Sequence, residues 1–216
     1  MANEKIEWTY GWNEDADTSK ARCLAIGDSI VWGSRSDAYR ALDGSVTLST
    51  FATSKGVDSP YLVEEIDLFC RQNNFCFEAV YFNNGLHTHG QSPEEYGKNY
   101  RRVLSKLRAL LPHAKFLLGL STPISEVMGD PTVHAAPISV EERENLLALD
   151  RNVVAYNQEV LAIAKEEGLP CFDAYSLMKP HSDKKTDPYH YNPEGRQIFG
   201  SAVAEQLLSL CADKKS

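Results

Sequence analysis

Ser29 lies in the run Gly27-Asp28-Ser29-Ile30, directly after an apolar stretch. A serine at a strand-to-helix turn has an exposed hydroxyl, and the backbone N–H groups beside it face any negative charge that develops there. Far along the chain, Asp187-Pro188-Tyr189-His190 stands just before a helical pattern. An imidazole in that place suits the removal of a serine proton, and a carboxylate three residues earlier suits holding the ring in the required tautomer. A third segment, Phe82-Asn83-Asn84-Gly85-Leu86-His87, sets two amides and a glycine at the mouth of an apolar run, where they offer side-chain and backbone donors. Each segment also has a plainer reading. Gly-Asp-Ser makes a turn with a helix cap, Asp-x-x-His an acidic turn before a solvent-facing histidine, and Asn-Gly a common turn dipeptide.

Such groups work only if the fold brings them to one place. Strand-length apolar runs fall at 22–26, 46–53, 75–83, 115–122 and 169–175, each ending in small or polar residues. Between them lie amphipathic stretches. Tyr96, Tyr100, Val103, Leu104, Leu107 and Leu111 repeat at steps of three and four, as do Leu146, Leu149, Val153, Tyr156, Val160 and Ile163, with Gly168 as a stop. Asn192 and Pro193 mark the start of a last helix. Strands alternating with helices predict a three-layer α/β/α sandwich, flavodoxin-like, around a five-stranded parallel sheet. Residues 1–20 read as a polar lead, 21–216 as one domain, and 125–140 as a long loop. Ligands of such sheets bind at the carboxyl ends of the strands, where all three segments fall.

Taken together and in this order, the segments resemble those of the SGNH/GDSL hydrolases, from residue 22 to residue 210. Ser29 stands in the family's Gly-Asp-Ser block, and Asp187 and His190 in its last block, which continues into Asn192-Pro193-x-Gly195. The resemblance implies a Ser-His-Asp triad that cleaves esters through an acyl-enzyme. It also implies an oxyanion hole formed by the Ser29 N–H, a glycine N–H for which Gly56 is the match, and a side chain from the third block. That block departs from the common Gly-x-Asn-Asp. His87 takes the asparagine position and Thr88 the aspartate position, while Asn84 has the usual chemistry, so the donor is Asn84 or His87. The variant Asn-Asn-Gly-Leu-His is similar to members that deacetylate carbohydrates, which implies a short-chain acetylesterase needing no cofactor. A non-catalytic carbohydrate-binding domain, an acyltransferase and a thioesterase are the alternatives. Absence of a Gly-x-Ser-x-Gly elbow argues against an α/β-hydrolase.

The remaining residues narrow the field. Net charge is −8, from 22 basic and 30 acidic residues, and the basic ones are scattered, which speaks against nucleic-acid binding. No apolar stretch reaches the length of a membrane span. The five cysteines include no CxxC pair and read as reduced. With no apolar leader, the expected location is the cytoplasm, or outside the cell for a signal-trimmed form. His87-x-His89 is half of a zinc pattern without partners, so no metal is expected. His181 is the rival base, with residues 182–185 after it reading as a solvated loop. Trp32 and Tyr39 suggest an apolar or sugar-stacking wall beside the serine, or simple core.

Overall fold

The computed structural model describes residues 6–15, 17, 19–44, 46–74, 76–88, 90–126 and 138–212. Its strands are β1 (Thr9–Asn13), β2 (Ala21–Gly27), β3 (Val46–Thr53), β4 (Ala79–Phe82), β5 (Lys115–Gly119) and β6 (Cys171–Phe172). Its helices are α1 (Ser29–Ala41), α2 (Leu62–Gln72), α3 (Pro93–Leu110), α4 (Val140–Glu167), α5 (Ala174–Met178) and α6 (Pro193–Ala212), with a 3-10 turn at Lys179–Lys184. The strands form one sheet in the order β1-β3-β2-β4-β5-β6. All neighbours are parallel except β1, which runs antiparallel along β3.

Successive side chains of a strand point to opposite faces, so a sheet covered on both sides buries both sets, mostly apolar but with Thr and Ser at four positions of β3. In β2, Leu24 and Ile26 pack with Phe82, Tyr100, Leu118 and Val160 in the core beneath α2, α3 and α4. The intervening Cys23 and Ala25 pack with Val31, Ala38, Phe199 and Val203 beneath α1 and α6. The helices begin where their caps predict. Ser92 and Glu95 close a capping box on α3, and the Asn192 side chain accepts from the Gly195 N–H at 3.0 Å at the start of α6. Gly168 ends α4 with φ of 63°, a conformation that favours glycine.

The α/β/α sandwich with five parallel strands matches the expectation, but the sheet has a sixth strand. It comes from the supposed polar lead. Trp8, Tyr10 and Trp12 alternate with Thr9 and Gly11, a period of two masked by the acidic residues around it. On the inner face the Thr9 hydroxyl donates to Glu65 at 2.7 Å, and Gly11 lies so close to Phe69 that a Cβ would sit 2.6 Å from the ring. Three strands are shorter than predicted, and of these β5 ends at Gly119 within the run 115–122. β4 occupies only Ala79–Phe82 of 75–83, of which residue 75 is outside the described residues. β6 stops after two residues because the Asp173 side chain accepts from the Ser176 N–H at 2.9 Å and starts α5. Most of the predicted loop at 125–140, namely 127–137, is outside the described residues.

Candidate active site

At the end of β2 the chain turns at Asp28, whose Oδ1 accepts from the Ile30 N–H at 2.9 Å and caps α1. Ser29 is therefore the first helical residue. The N–H groups of a first turn have no partner within the helix, which leaves the Ser29 N–H directed at whatever approaches its hydroxyl.

His190 Nε2 lies 2.8 Å from Ser29 Oγ, and its Nδ1 lies 2.6 Å from Asp187 Oδ2. With Nδ1 protonated and donating to the carboxylate, Nε2 accepts the serine hydroxyl. One narrow loop provides both groups. Lys185 and Tyr191 form an antiparallel bridge at its base, the Thr186 N–H donates to the His190 carbonyl at 2.9 Å, and the Asn192 N–H donates to the Lys184 carbonyl at 2.7 Å. Within it, Asp187 Oδ1 accepts from the Tyr189 and His190 backbone N–H groups at 2.8 and 2.7 Å. The three-residue spacing thus lets one carboxylate fold the turn with one oxygen and hold the ring with the other.

Electrostatics follow from these contacts. Burial works to raise the Asp187 pKa, but the His190 ring and the two backbone donors outweigh it and hold the carboxyl well below its usual range. The hydrogen bond to Asp187 raises the His190 pKa above 6.5. Burial opposes it, the Asp187 and Asp28 charges reinforce it, and Lys185 opposes it.

Beyond the ends of β3 and β4, the two strands that flank β2, two chain segments meet. The Asn84 side chain, 3% exposed, donates from Nδ2 to the Lys55 carbonyl at 2.8 Å, while Tyr96 donates to the Asn84 carbonyl at 2.5 Å. Gly56 lies against the His87 carbonyl, where a Cβ would be only 2.9 Å away, so a glycine is needed for the approach. Asn84 Nδ2 keeps a second N–H beyond the one given to Lys55. The neighbouring Asn83 is spent on structure, donating to the Gly119 carbonyl at 2.9 Å and to Ser121 Oγ at 3.3 Å. His87 is half-buried and meets the Trp8 ring edge-on at 6.0 Å. Thr88, at the family's aspartate position, donates to the Gly85 carbonyl at 2.7 Å and closes the turn.

The rival base His181 sits in the 3-10 turn, and it is His190 that contacts Ser29. His89 is outside the described residues. Among the described residues no group of three His, Cys, Asp or Glu side chains is placed to hold a metal ion. No described helix is long and apolar enough to cross a membrane. Tyr39 is ten residues along α1 from Ser29, about 15 Å at 1.5 Å per residue, and its hydroxyl donates to Asp15, so it is not part of a wall at the serine. Trp32 is one turn from Ser29 and belongs to a ladder that the sequence reading missed. Tyr10 stacks on Trp32 at 4.8 Å and on Trp8 at 5.2 Å, and the Arg35 guanidinium lies 3.9 Å from the Trp32 centroid. Lys185, read as part of a solvated loop, is buried beneath the Asp187–His190 turn. A cavity of about 390 Å³ opens beside Ser29 and His190, lined also by Gly33, Ser34, Arg196 and Phe199.

Comparison with known proteins agrees with this architecture. A carbohydrate acetylesterase from Sinorhizobium meliloti superposes with a TM-score of 0.66 at 15% identity, covering 88% of this chain and 100% of that one. The aryl esterase of M. smegmatis gives 0.67 at 16% identity, with 88% and 99% covered. The C-terminal catalytic domain of peptidoglycan O-acetyltransferase A from Streptococcus pneumoniae gives 0.56 at 20% identity, with 89% and 96% covered. Among curated proteins nothing matches. The GDSL-like lipase/acylhydrolase family model matches residues 82–198, more than half of the chain, with Asp187 and His190 inside the match. The chain is an ester hydrolase and belongs to the GDSL-like lipase/acylhydrolase family.

Proposed function

We propose that Ser29, His190 and Asp187 act as nucleophile, general base and orienter in the cleavage of small esters, with acetyl groups on carbohydrate as the substrate class. The observation that carries this reading is the continuous chain of contacts from Ser29 Oγ through the imidazole to the Asp187 carboxylate, 2.8 and 2.6 Å long. Ser29 Oγ attacks the ester carbonyl carbon while its proton passes to His190 Nε2. The carbonyl oxygen, now negative, is met by the Ser29 and Gly56 N–H groups and the Asn84 amide. Collapse of the intermediate expels the alcohol, which takes the proton from His190. A water then attacks the acyl-enzyme, again losing its proton to His190, and releases the carboxylic acid and free serine.

Three features support a small substrate carrying a ring. The cavity of about 390 Å³ lies at the small end of ligand sites, which span roughly 300–1,000 Å³. Tyr10, 47% exposed and stacked at 4.8 Å on Trp32 one turn from Ser29, offers flat apolar surface. The structural neighbours include a carbohydrate acetylesterase and an aryl esterase. The acetyltransferase neighbour favours a second reading, in which a sugar hydroxyl replaces water at the acyl-enzyme. A non-catalytic carbohydrate-binding role is disfavoured, since all three polar side chains are present and in contact.

Ser29→Ala is the test. It is expected to abolish hydrolysis of acetyl aryl esters, a loss on the order of a million-fold in a serine-protease triad, and to prevent labelling by a fluorophosphonate. A variant that keeps a tenth of the activity refutes the assignment. Octanoyl esters are expected to have a lower kcat/KM than acetyl esters, and the reverse order refutes the short-acyl class. Product analysis with an added sugar acceptor separates hydrolysis from transfer.

A further inference from the structure

Lys185 has no part in the chemistry above, and it is only 1% exposed. Its Nζ donates to the carbonyls of Pro123 at 2.7 Å, Pro188 at 3.0 Å and Tyr189 at 3.1 Å. On the remaining side the Tyr191 ring centroid is 4.4 Å away. An ammonium has three donors and no acceptor, so three carbonyls satisfy it completely. The acceptors come from two places. Pro188 and Tyr189 are the two residues between Asp187 and His190, whereas Pro123 belongs to the segment that follows β5. Burying an ammonium costs more than burying an apolar side chain of the same volume, so packing alone does not account for a lysine here.

We propose that Lys185 is a positioning residue whose buried ammonium ties the Asp187–His190 turn to the end of β5 and thereby holds the imidazole on Ser29. The proposal rests on the reading of His190 as the base. It differs from a packing role because it needs the proton on Lys185. A neutral amine has two donors and a lone pair, which leaves one of the three carbonyls unpaired and facing the lone pair. Two carboxylates favour the charged form, Asp187 in the turn and Asp150 on α4. Asp150 is itself fixed by the Tyr175 hydroxyl at 2.8 Å and the Ile124 N–H at 2.8 Å. Tyr189 and Tyr191 flank the ammonium. Burial pulls its pKa down to about 7, against the Asp187 and Asp150 charges. His190 faces Asp187 and Asp28, which favour its protonated form, and Lys185, which disfavours it. Asp187 Oδ1 folds the turn without help from Lys185, so the Asp187–His190 contact survives removal of the ammonium.

The test is the pH profile of kcat on an acetyl aryl ester for the wild type, Lys185→Met and Lys185→Arg, with KM and thermal melting recorded beside it. The wild type is expected to lose activity on the alkaline side as Lys185 gives up its proton, and on the acid side as His190 gains one. Lys185→Met is expected to lower kcat at least tenfold with KM within threefold, to move the acid midpoint upward, and to have no alkaline fall. Lys185→Arg, charged throughout, is expected to keep the wild-type acid midpoint and also to have no alkaline fall. A side chain that only fills space changes melting and kcat but leaves the shape of the profile alone. A kcat within twofold of wild type in Lys185→Met, or an alkaline fall kept in both variants, overturns the proposal. Should Lys185→Met not fold, Lys185→Arg and the wild-type alkaline limb decide it, and a flat wild-type limb overturns it. His190→Ala separates the two layers of inference. Activity there overturns the base assignment, whereas a dead His190→Ala beside an unaltered Lys185→Met overturns the role of Lys185 alone.

Discussion

The two sides of Ser29 are built in different ways. On one side, a single turn from Asp187 to His190 carries the proposed base and its carboxylate partner, folded by Asp187 Oδ1 and bonded from below by Lys185. On the other, the proposed oxyanion donors come from segments far apart in the chain: the first residue of α1, Gly56 after β3, and Asn84 after β4. What holds the second side together is the contact of Asn84 Nδ2 with the Lys55 carbonyl and the glycine-dependent approach of Gly56 to His87. A local device keeps its geometry if its own residues are present. An assembled one depends on the register of the whole sheet.

Breaking the local side is expected to have the largest effect. Asp187→Asn removes the acceptor that selects the Nδ1–H tautomer, and kcat should fall by about ten-thousand-fold, as such a change does in a serine protease. The pH profile adds a sign. Asp187 raises the His190 pKa above 6.5, and the base must be neutral, so wild-type activity rises with pH through a midpoint above that value. Without the carboxylate the midpoint should move down. A midpoint that stays in place in Asp187→Asn, with kcat near wild type, contradicts the pairing.

The assembled side should give smaller losses. Removing one oxyanion donor costs about a hundred- to a thousand-fold in kcat with little change in KM, because the contact forms mainly in the transition state. Asn84→Ala is expected to behave this way, since its amide is buried beside Gly56 and has an N–H to spare. His87→Ala should cost less, since the structure gives that ring an edge contact with Trp8 and leaves its backbone to Gly56. Steady-state kinetics of both variants test the ranking, and a larger loss in His87→Ala reverses it.

The same contrast explains what could be read from the chain. The Asp-x-x-His turn is a local device, so its spacing was visible, and the runs of β2, β3 and β5 were visible because strands buried on both faces carry few charges, the polar positions of β3 being Thr and Ser. The meeting of the loop at Gly56 with the loop at Asn84 was not, because no local pattern states it. Nor was the choice between Asn84 and His87, which depends on what each side chain touches in the folded chain. Lys185 looked solvated because lysine usually is, and only the three carbonyls reveal otherwise. β1 did carry a local signal, Trp8-x-Tyr10-x-Trp12, but acidic neighbours made the segment read as a tail.

That strand yields the smallest and most selective effect. Trp32 is one turn from Ser29, but Tyr10 and Arg35 lie 4.8 and 3.9 Å from its ring centroid, so the ring is engaged in the stack. Its first role is to fasten β1 to α1, and through the stack to set Tyr10 and Trp8 beside the site. Aromatic contacts of this kind are worth about 0.5–1.5 kcal/mol beyond the area they bury, roughly a two- to tenfold change in an equilibrium constant. Trp32→Ala should therefore raise KM for acetylated sugars and aryl acetates by about that factor. Ethyl acetate, which has no ring to rest on the wall, should be hydrolysed with unchanged KM, and kcat should hold for all three. Comparing the three substrates in one variant cancels any loss of folded protein. An equal rise in KM for the ethyl ester means that the ladder only braces the edge strand and that the ring of the substrate lies elsewhere.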